Sequence, residues 1–355
     1  LKVNELRLIF WELTSQCNLR CIHCRAEATE EPFINELNTE EAYSLIDSII
    51  SFSNPILILT GGEPLYRKDI FDIASYANSR GLRVALATNG TLIDEEIAKK
   101  VLNSGIKRVS ISIDGSNRNT HDSFRGFSGS FDDAINGFYN LRKLNIEVQF
   151  NTTIAKHNIN EVEDIYKLAK EMDACALHIF MLVPVGCGVE IADREMVSKE
   201  DYERILNWLY NKSIEDRSLE LKATCAPHYF RIMKQRMKEH KRDTIKKGHG
   251  MSAMTRGCLA GSSVCFISRI GNVQPCGYLP VVAGNIRKES LEKIWKESEL
   301  FKNLRNPSML KGKCGKCEYK VICEGCRARA FYNSGDYMDE EPYCIYIPKS
   351  YQSSL

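Results

Sequence analysis

No stretch of this 355-residue chain approaches the roughly 20 consecutive apolar residues that a membrane-spanning helix needs, so helical membrane insertion is not how it is organised. The opening residues, LKVNELRLIFWEL, lack the basic, apolar and small-residue order of a secretory signal, and a cytoplasmic location is expected. Charge of one sign is scarce as well. Forty-eight Lys and Arg stand against 46 Asp and Glu, a formal net charge of +2, which argues against a chain built as a whole to bind nucleic acid. Internal repeats and low-complexity tracts are missing. The length suits one large domain with a smaller one.

Cysteine is abundant. The chain has 14, far more than buried free thiols require, and in a reducing compartment thiols in groups point to metal rather than to disulfides. Cys17, Cys21 and Cys24 fall within eight residues near the start, and eight more lie between Cys258 and Cys344. Only Cys175, Cys187 and Cys225 stand apart. Metal is therefore expected at both ends of the chain.

Between the two groups, short apolar runs alternate with amphipathic stretches. Strands are predicted at 6–13, 55–60, 82–88, 108–114, 146–154 and 176–183, with helices near 39–53, 68–80, 93–104, 129–144, 159–173 and 198–212. Runs such as ILIL and VALA are apolar on successive positions, as when both faces of a parallel sheet are covered. Six β–α units in series predict an α/β fold, a partial (β/α)6 barrel over residues 1–215. A basic helical bridge is expected over 216–257 and a small cysteine-rich domain over 258–355. The unusual residues fall at one end of this barrel. The cysteine triplet follows strand 1, Gly61-Gly62-Glu63-Pro64 follows strand 2, and Thr88-Asn89-Gly90 follows strand 3. Ser112 and Asp114 close strand 4, and Asn151 lies late in strand 5. In barrels the chemistry gathers at the C-terminal ends of strands.

Three thiolates from one loop, spaced Cys17-x3-Cys21-x2-Cys24, leave one iron of a 4Fe–4S cluster free for another ligand, whereas an ordinary site uses four. Zinc is the competing reading, with His23 inside the triplet, but zinc ligands come in paired sets. The series CNLRCIHC, GGEP, TNG and SIDG resembles the radical S-adenosylmethionine superfamily, with His23 where that family commonly has an aromatic residue. The resemblance implies that Cys17, Cys21 and Cys24 hold the catalytic cluster and that S-adenosylmethionine yields a 5′-deoxyadenosyl radical there. It further implies Gly61, Gly62 and Glu63 at the cofactor's ammonium group, Ser112 and Asp114 near its ribose, Asn89 and Asn151 in the same site, and Arg125 at the methionine carboxylate.

The C-terminal cysteines, Cys258 and Cys276 followed by Cys314-x2-Cys317-x5-Cys323-x2-Cys326 and then Cys344, resemble the SPASM extension, although its usual last spacing is three residues. This implies one or two auxiliary 4Fe–4S clusters. Cys258, Cys276 and Cys326 would serve the first, with Cys265 either completing it or acting as a buried thiol. Cys314, Cys317, Cys323 and Cys344 would serve the second. Spacing alone also allows zinc on Cys314, Cys317, Cys323 and Cys326.

Further segments, FMLVPVGCG, KATCAPHYFRI, GCLAGSSVCFIS, CGYLPVVAGNI and CRARAFYNSGDY, resemble the tetrapyrrole-modifying subgroup of the alternative haem and haem d1 pathways, and most of all its haem synthases. Cys187 departs from that pattern where arginine is expected. The resemblance implies an oxidoreductase of haem and porphyrin biosynthesis that decarboxylates propionates of iron-coproporphyrin III to vinyl groups. It would draw its electron from a low-potential donor such as flavodoxin or ferredoxin. For such a polyanionic substrate the candidate contacts are His178, His228 and Arg231, at the head of a basic stretch running through Lys234, Arg236, Lys238, Lys241 and Arg242 to His249. Other functions compete. A ribosomal-peptide maturase would call for a peptide-binding wing, and only sixteen residues precede Cys17. Another tetrapyrrole would suit the same motifs. An iron–sulfur carrier without chemistry would need neither GGEP nor the open triplet.

Overall fold

The apolar runs become strands because helices cover their outer faces. The computed structural model describes residues 5–239 and 257–352. Its strands are β1 (Leu8–Glu12), β2 (Ile56–Thr60), β3 (Arg83–Thr88), β4 (Arg108–Ser112), β5 (Glu147–Ile154), β6 (Ala176–Met181), β7 (Glu220–Thr224), β8 (Val264–Ile267), β9 (Asn272–Gln274) and β10 (Gly284–Asn285). They form one sheet in the order β10-β9-β8-β1-β2-β3-β4-β5-β6-β7, parallel from β8 through β7 and antiparallel only at β9 and β10.

The covering helices α1 (Thr39–Ile50), α2 (Ile70–Ser79), α3 (Glu95–Asn103), α4 (Arg118–Arg125), α5 (Ser130–Lys143), α6 (Val162–Glu171), α7 (Ala192–Glu195) and α8 (Lys199–Glu215) lie between consecutive strands up to β7. After β7 come α9 (His228–Glu239), α10 (Leu291–Glu297), α11 (Glu299–Leu304), α12 (Gly312–Lys316) and α13 (Arg327–Ser334). Asn38 starts α1 with a capping box, accepting from the Glu41 N–H while the Glu41 carboxylate accepts from the Asn38 N–H.

Alternation along each strand sorts the residues. Ile9, Trp11, Leu57, Leu59, Val148, Phe150, Leu177 and Ile179 point outward into the helix layer and are fully or almost fully buried. Each large side chain so buried contributes roughly 1.5–3 kcal/mol. The opposite face lines the lumen, and it is divided. Leu8, Phe10, Ile56, Ile58, Ala85, Ala87 and Val264 form a separate apolar cluster on β8, β1, β2 and β3. Across from them, β4 to β7 present Ser110, Ser112, Gln149, Asn151, His178 and Lys222 in register.

Two features extend the barrel beyond the six predicted units. Strand β7 pairs in parallel with β6, past residue 215. Its sequence, ELKAT, hides a strand signal because Glu220 and Lys222 put charge on its lumen face and leave it no apolar run. At the other edge β8, from the cysteine-rich segment, pairs in parallel with β1, so that segment is part of the same sheet. Of the basic stretch, α9 carries Arg231, Lys234, Arg236 and Lys238, whereas Lys241, Arg242 and His249 lie outside the described residues.

The loop after β3 is set by close packing. A Cβ on Gly137 of α5 would lie 2.3 Å from the carbonyl oxygen of Gly90, too close for any side chain, so glycine lets the helix rest directly on that loop. Gly137→Ala is expected to cost about 1–3 kcal/mol through overpacking. A thermal unfolding midpoint equal to the wild-type value would show that the loop yields freely.

Candidate active site and cysteine groups

Strand β1 ends at Glu12, and the chain turns over the mouth of the barrel as the cysteine loop. Backbone bonds hold it down: the Cys17 N–H donates to Thr29 O (2.9 Å), the Ile22 N–H to Phe124 O (3.1 Å) and the Cys187 N–H to Cys24 O (3.0 Å). Cys17, Cys21 and Cys24 thus come from one loop fastened to α4 and to the turn after β6. Burial pushes the Cys17 thiol up to about 12 and also raises Cys21. Thiolates so placed need cationic charge to be stable, and an iron–sulfur cluster supplies it. The donor set fits that group.

GGEP lies against the same loop. A Cβ on Gly62 would meet the carbonyl oxygens of Ser15 and Gln16 at 2.5 Å, so only glycine permits this approach. Glu63 is fully buried and ties GGEP to the Thr88-Asn89-Gly90 motif. Its carboxylate accepts from Thr88 Oγ1 (2.8 Å), the Asn89 N–H (2.8 Å) and the Leu65 N–H (3.2 Å). Burial raises its pKa to about 7 despite these bonds. Asn89 Nδ2 donates to Asn18 Oδ1 (2.9 Å) and faces Cys17 Sγ at 3.9 Å.

Asp114, after β4, is the hub on the other side. Its Oδ1 accepts from the Thr153 N–H (2.7 Å), and its Oδ2 lies 2.5 Å from Arg125 Nη2 and 3.3 Å from His23 Nε2. Burial works against this carboxylate, yet Arg125 and then His23 hold its pKa well below the usual range. Arg125, expected at a cofactor carboxylate, is buried, is paired with Asp114, and points its Nη1 at Cys21 Sγ (3.7 Å). His23 behaves as the aromatic it replaces, stacking on Phe124 at 4.0 Å, with His157 on the far side of that ring at 5.0 Å.

Ser112 and Asn151 pair across β4 and β5 on the lumen face. Asn151 Oδ1 accepts from Gln149 Nε2 (2.9 Å), which lies 3.1 Å from His178 Nδ1. His178 Nε2 and Gln149 Oε1 are buried without a hydrogen-bond partner among the described residues. Burial drives the His178 pKa well down, and Lys222, its register partner on β7, is lowered to about 8 by burial.

The C-terminal cysteines divide into two groups. Cys314, Cys317, Cys323 and Cys344 line one pocket with His228, Arg231, Lys313 and Tyr346. Cys326 lies instead within electrostatic reach of Cys258 and Cys276. A zinc set that includes Cys326 with Cys314, Cys317 and Cys323 does not match this division. Cys265 was expected either to complete the first group or to act as a buried thiol. It sits on β8 opposite Ile9, fully buried among hydrophobic side chains on the outer face, and Arg305 is the charged group that bears on it. The substrate candidates are also separated. His178 is in the lumen, while His228 and Arg231 face the second cysteine group. Arg231 pairs with Glu203 (2.5 Å) and packs over Tyr346, and burial depresses the His228 pKa to about 3. Sequence reasoning missed Lys222, which carries no motif, and the approach of Cys225 to the first group.

Replacing Asp114 by Asn is expected to strand the buried Arg125 charge. A loss of about 3–5 kcal/mol in anaerobic unfolding is the anticipated result; an unchanged midpoint would show that Arg125 finds another partner.

Residues 11–169 match the radical SAM superfamily, and residues 258–327 match an iron–sulfur cluster-binding domain, SPASM. An AdoMet-dependent heme synthase of Methanosarcina barkeri is 53% identical over 97% of this chain and 98% of its own length. Another, from Nitratidesulfovibrio vulgaris, is 48% identical over 97% of this chain and 93% of its own. Among solved structures, Streptococcus suis SuiB bound to its precursor peptide SuiA superposes with a TM-score of 0.75 at 16% identity, over 97% of this chain and 76% of that one, a likeness of fold. The chain belongs to the radical SAM superfamily, with a SPASM iron–sulfur domain, in the family of the AdoMet-dependent heme synthases.

Proposed function

We propose that this enzyme oxidatively decarboxylates propionate side chains of iron-coproporphyrin III to vinyl groups. The observation that carries the reading is the divided lumen beneath the three-cysteine loop. One half is apolar, and the other presents Asn151, Gln149, His178 and Lys222. A flat, amphiphilic polyacid matches both halves. The family's heme synthases support the same choice, and a peptide has no evident need of the division.

A cluster on Cys17, Cys21 and Cys24 with S-adenosylmethionine supplies a 5′-deoxyadenosyl radical able to take hydrogen from an unactivated carbon. In this reading Gly61, Gly62 and Glu63 hold the cofactor's ammonium group. Ser112, Asn89 and Asn151 border its remainder, and Asp114 with Arg125 fixes the loop's charge balance. His178 and Lys222 orient a propionate carboxylate, and the apolar strands keep water from the reacting carbon. Each propionate then gives up one hydrogen atom, one carbon dioxide and one electron, leaving a vinyl group. The surplus electron requires an acceptor. Cys258, Cys276 and Cys326 would hold one auxiliary cluster, and Cys314, Cys317, Cys323 and Cys344 a second. A low-potential donor such as flavodoxin or ferredoxin provides the initiating electron.

Anaerobic, reconstituted enzyme with dithionite, S-adenosylmethionine and iron-coproporphyrin III should lose two formic-acid equivalents stepwise by mass spectrometry, with 5′-deoxyadenosine formed alongside. Cys17→Ala should abolish deoxyadenosine. Deoxyadenosine without change in the tetrapyrrole would reject this substrate and retain the radical chemistry.

Lys222 predicts a pH dependence. Burial lowers its pKa to about 8, so the unliganded site holds the ammonium below that pH and loses it above. The KM for the tetrapyrrole should therefore rise as pH passes about 8, and Lys222→Met should raise KM at pH 7 and flatten that rise. An unaltered profile in the variant would remove Lys222 from the substrate's binding site.

A further inference from the structure

We propose that Cys225 is the fourth thiolate of the auxiliary cluster whose other ligands are Cys258, Cys276 and Cys326. This rests on the reading above that these three cysteines hold a cluster.

Three cysteines make an incomplete set for a closed 4Fe–4S site. By chain position the candidate for the fourth was Cys265, which β8 turns into the hydrophobic layer. Cys225 lies far from the cysteine-rich segment in sequence, in the turn between β7 and α9 at the mouth of the barrel. There it meets the incomplete group: the thiols bearing on it are those of Cys326, Cys276 and Cys258. All three partners of the proposed site bear on it electrostatically.

The backbone is built to hold it there. Cys225 has φ +54°, in the left-handed region that costs a non-glycine residue about 1 kcal/mol or more. Two buried groups secure this conformation through the residue's own carbonyl, which accepts from Arg329 Nη2 (2.5 Å) and from Tyr202 Oη (2.8 Å). Arg329 and Tyr202 are almost inaccessible to solvent. Arg329 also donates to Glu341, whose Oε2 accepts from the Cys326 N–H (2.7 Å). One hydrogen-bonded chain thus fixes the backbones of Cys225 and Cys326 together. A thiol that only filled space would need neither the strained turn nor this clamp.

The assignment has a functional consequence. Four thiolates from the chain leave no iron of this cluster for substrate, in contrast to the triplet Cys17, Cys21 and Cys24. The group at Cys225 is then an electron carrier and not a second binding site.

The test uses full-length, anaerobically reconstituted protein in which Cys17, Cys21 and Cys24 are all alanine, so that only auxiliary clusters remain. Iron and sulfide per chain and the EPR spectrum of the reduced protein are measured. Cys225→Ala should lose about four iron atoms per chain, or about one with a 3Fe–4S signal on oxidation, and Cys326→Ala should do the same. Cys265→Ala should match the parent. Cys225→Ser, which keeps a ligating oxygen, should retain iron but shift the g-values, an effect that a packing role would not produce. If Cys326→Ala loses iron while both Cys225 variants keep the parent's iron and spectrum, this assignment falls and the auxiliary cluster stands. Parental iron in Cys326→Ala would overturn the auxiliary-cluster reading itself, and this assignment with it.

Discussion

The buried ion pair between Arg329 and Glu341 is the constraint on which the cysteine-rich half depends. Both side chains are completely removed from solvent, 3.1 Å apart. Desolvating two charges costs several kcal/mol each, and attraction offsets this only when the remaining donors and acceptors are satisfied. Here they are. Glu341 accepts from the Cys326 N–H and the Tyr343 N–H, and its own N–H donates to Cys314 Sγ at 3.3 Å. Arg329 spends its other donors on Tyr202 Oη and on the carbonyls of Cys225 and Leu182. One pair therefore touches both C-terminal cysteine groups, the end of β6 and the turn after β7. Groups that exchange electrons must keep fixed separations, and a satisfied buried network provides rigidity that an apolar contact would not.

Arginine recurs beside several of the buried thiols. Arg125 lies beside Cys21, Arg327 beside Cys314, and Arg231 bears on Cys323 and Cys344. Each guanidinium is itself held by a fixed partner: Asp114 for Arg125, the carbonyls of Tyr337 and Asp339 for Arg327, and Glu203 for Arg231. Lysine would present a point charge on a flexible stem, whereas the planar fork can bond its anchor and face a sulfur together. Arg231, expected from its basic stretch as a contact for a polyanion, is paired with Glu203 and packed over Tyr346 beside the second cysteine group.

What was legible in the sequence depended on whether a residue's role was local. Strands β1 to β6 were readable because apolar runs bounded by turns carry their own signal, and the motifs at their ends fixed the face on which chemistry gathers. Strand β7 was not, since its lumen face is charged. Cys17, Cys21 and Cys24 lie on one loop, so spacing sufficed to group them. The auxiliary thiols come from segments far apart in the chain, where spacing carries no direction. Cys265 lies within the cysteine-rich segment and faces away, while Cys225 lies outside it and faces the group. Strand alternation excluded the first, and a left-handed turn brought in the second. Neither can be seen in a pattern of cysteines.

The division of the lumen follows from the same topology. Because β8 closes on β1 while β7 is added beyond β6, the barrel's apolar lining is contributed by β8, β1, β2 and β3 and its polar lining by β4 to β7. The polar side is left under-satisfied: His178 Nε2 and Gln149 Oε1 lack hydrogen-bond partners among the described residues. Buried polar atoms without partners cost about 1–3 kcal/mol each, a penalty that a protein carries where a ligand relieves it. An apolar wall facing such a polar wall suits a molecule with an acidic edge and an apolar ring system.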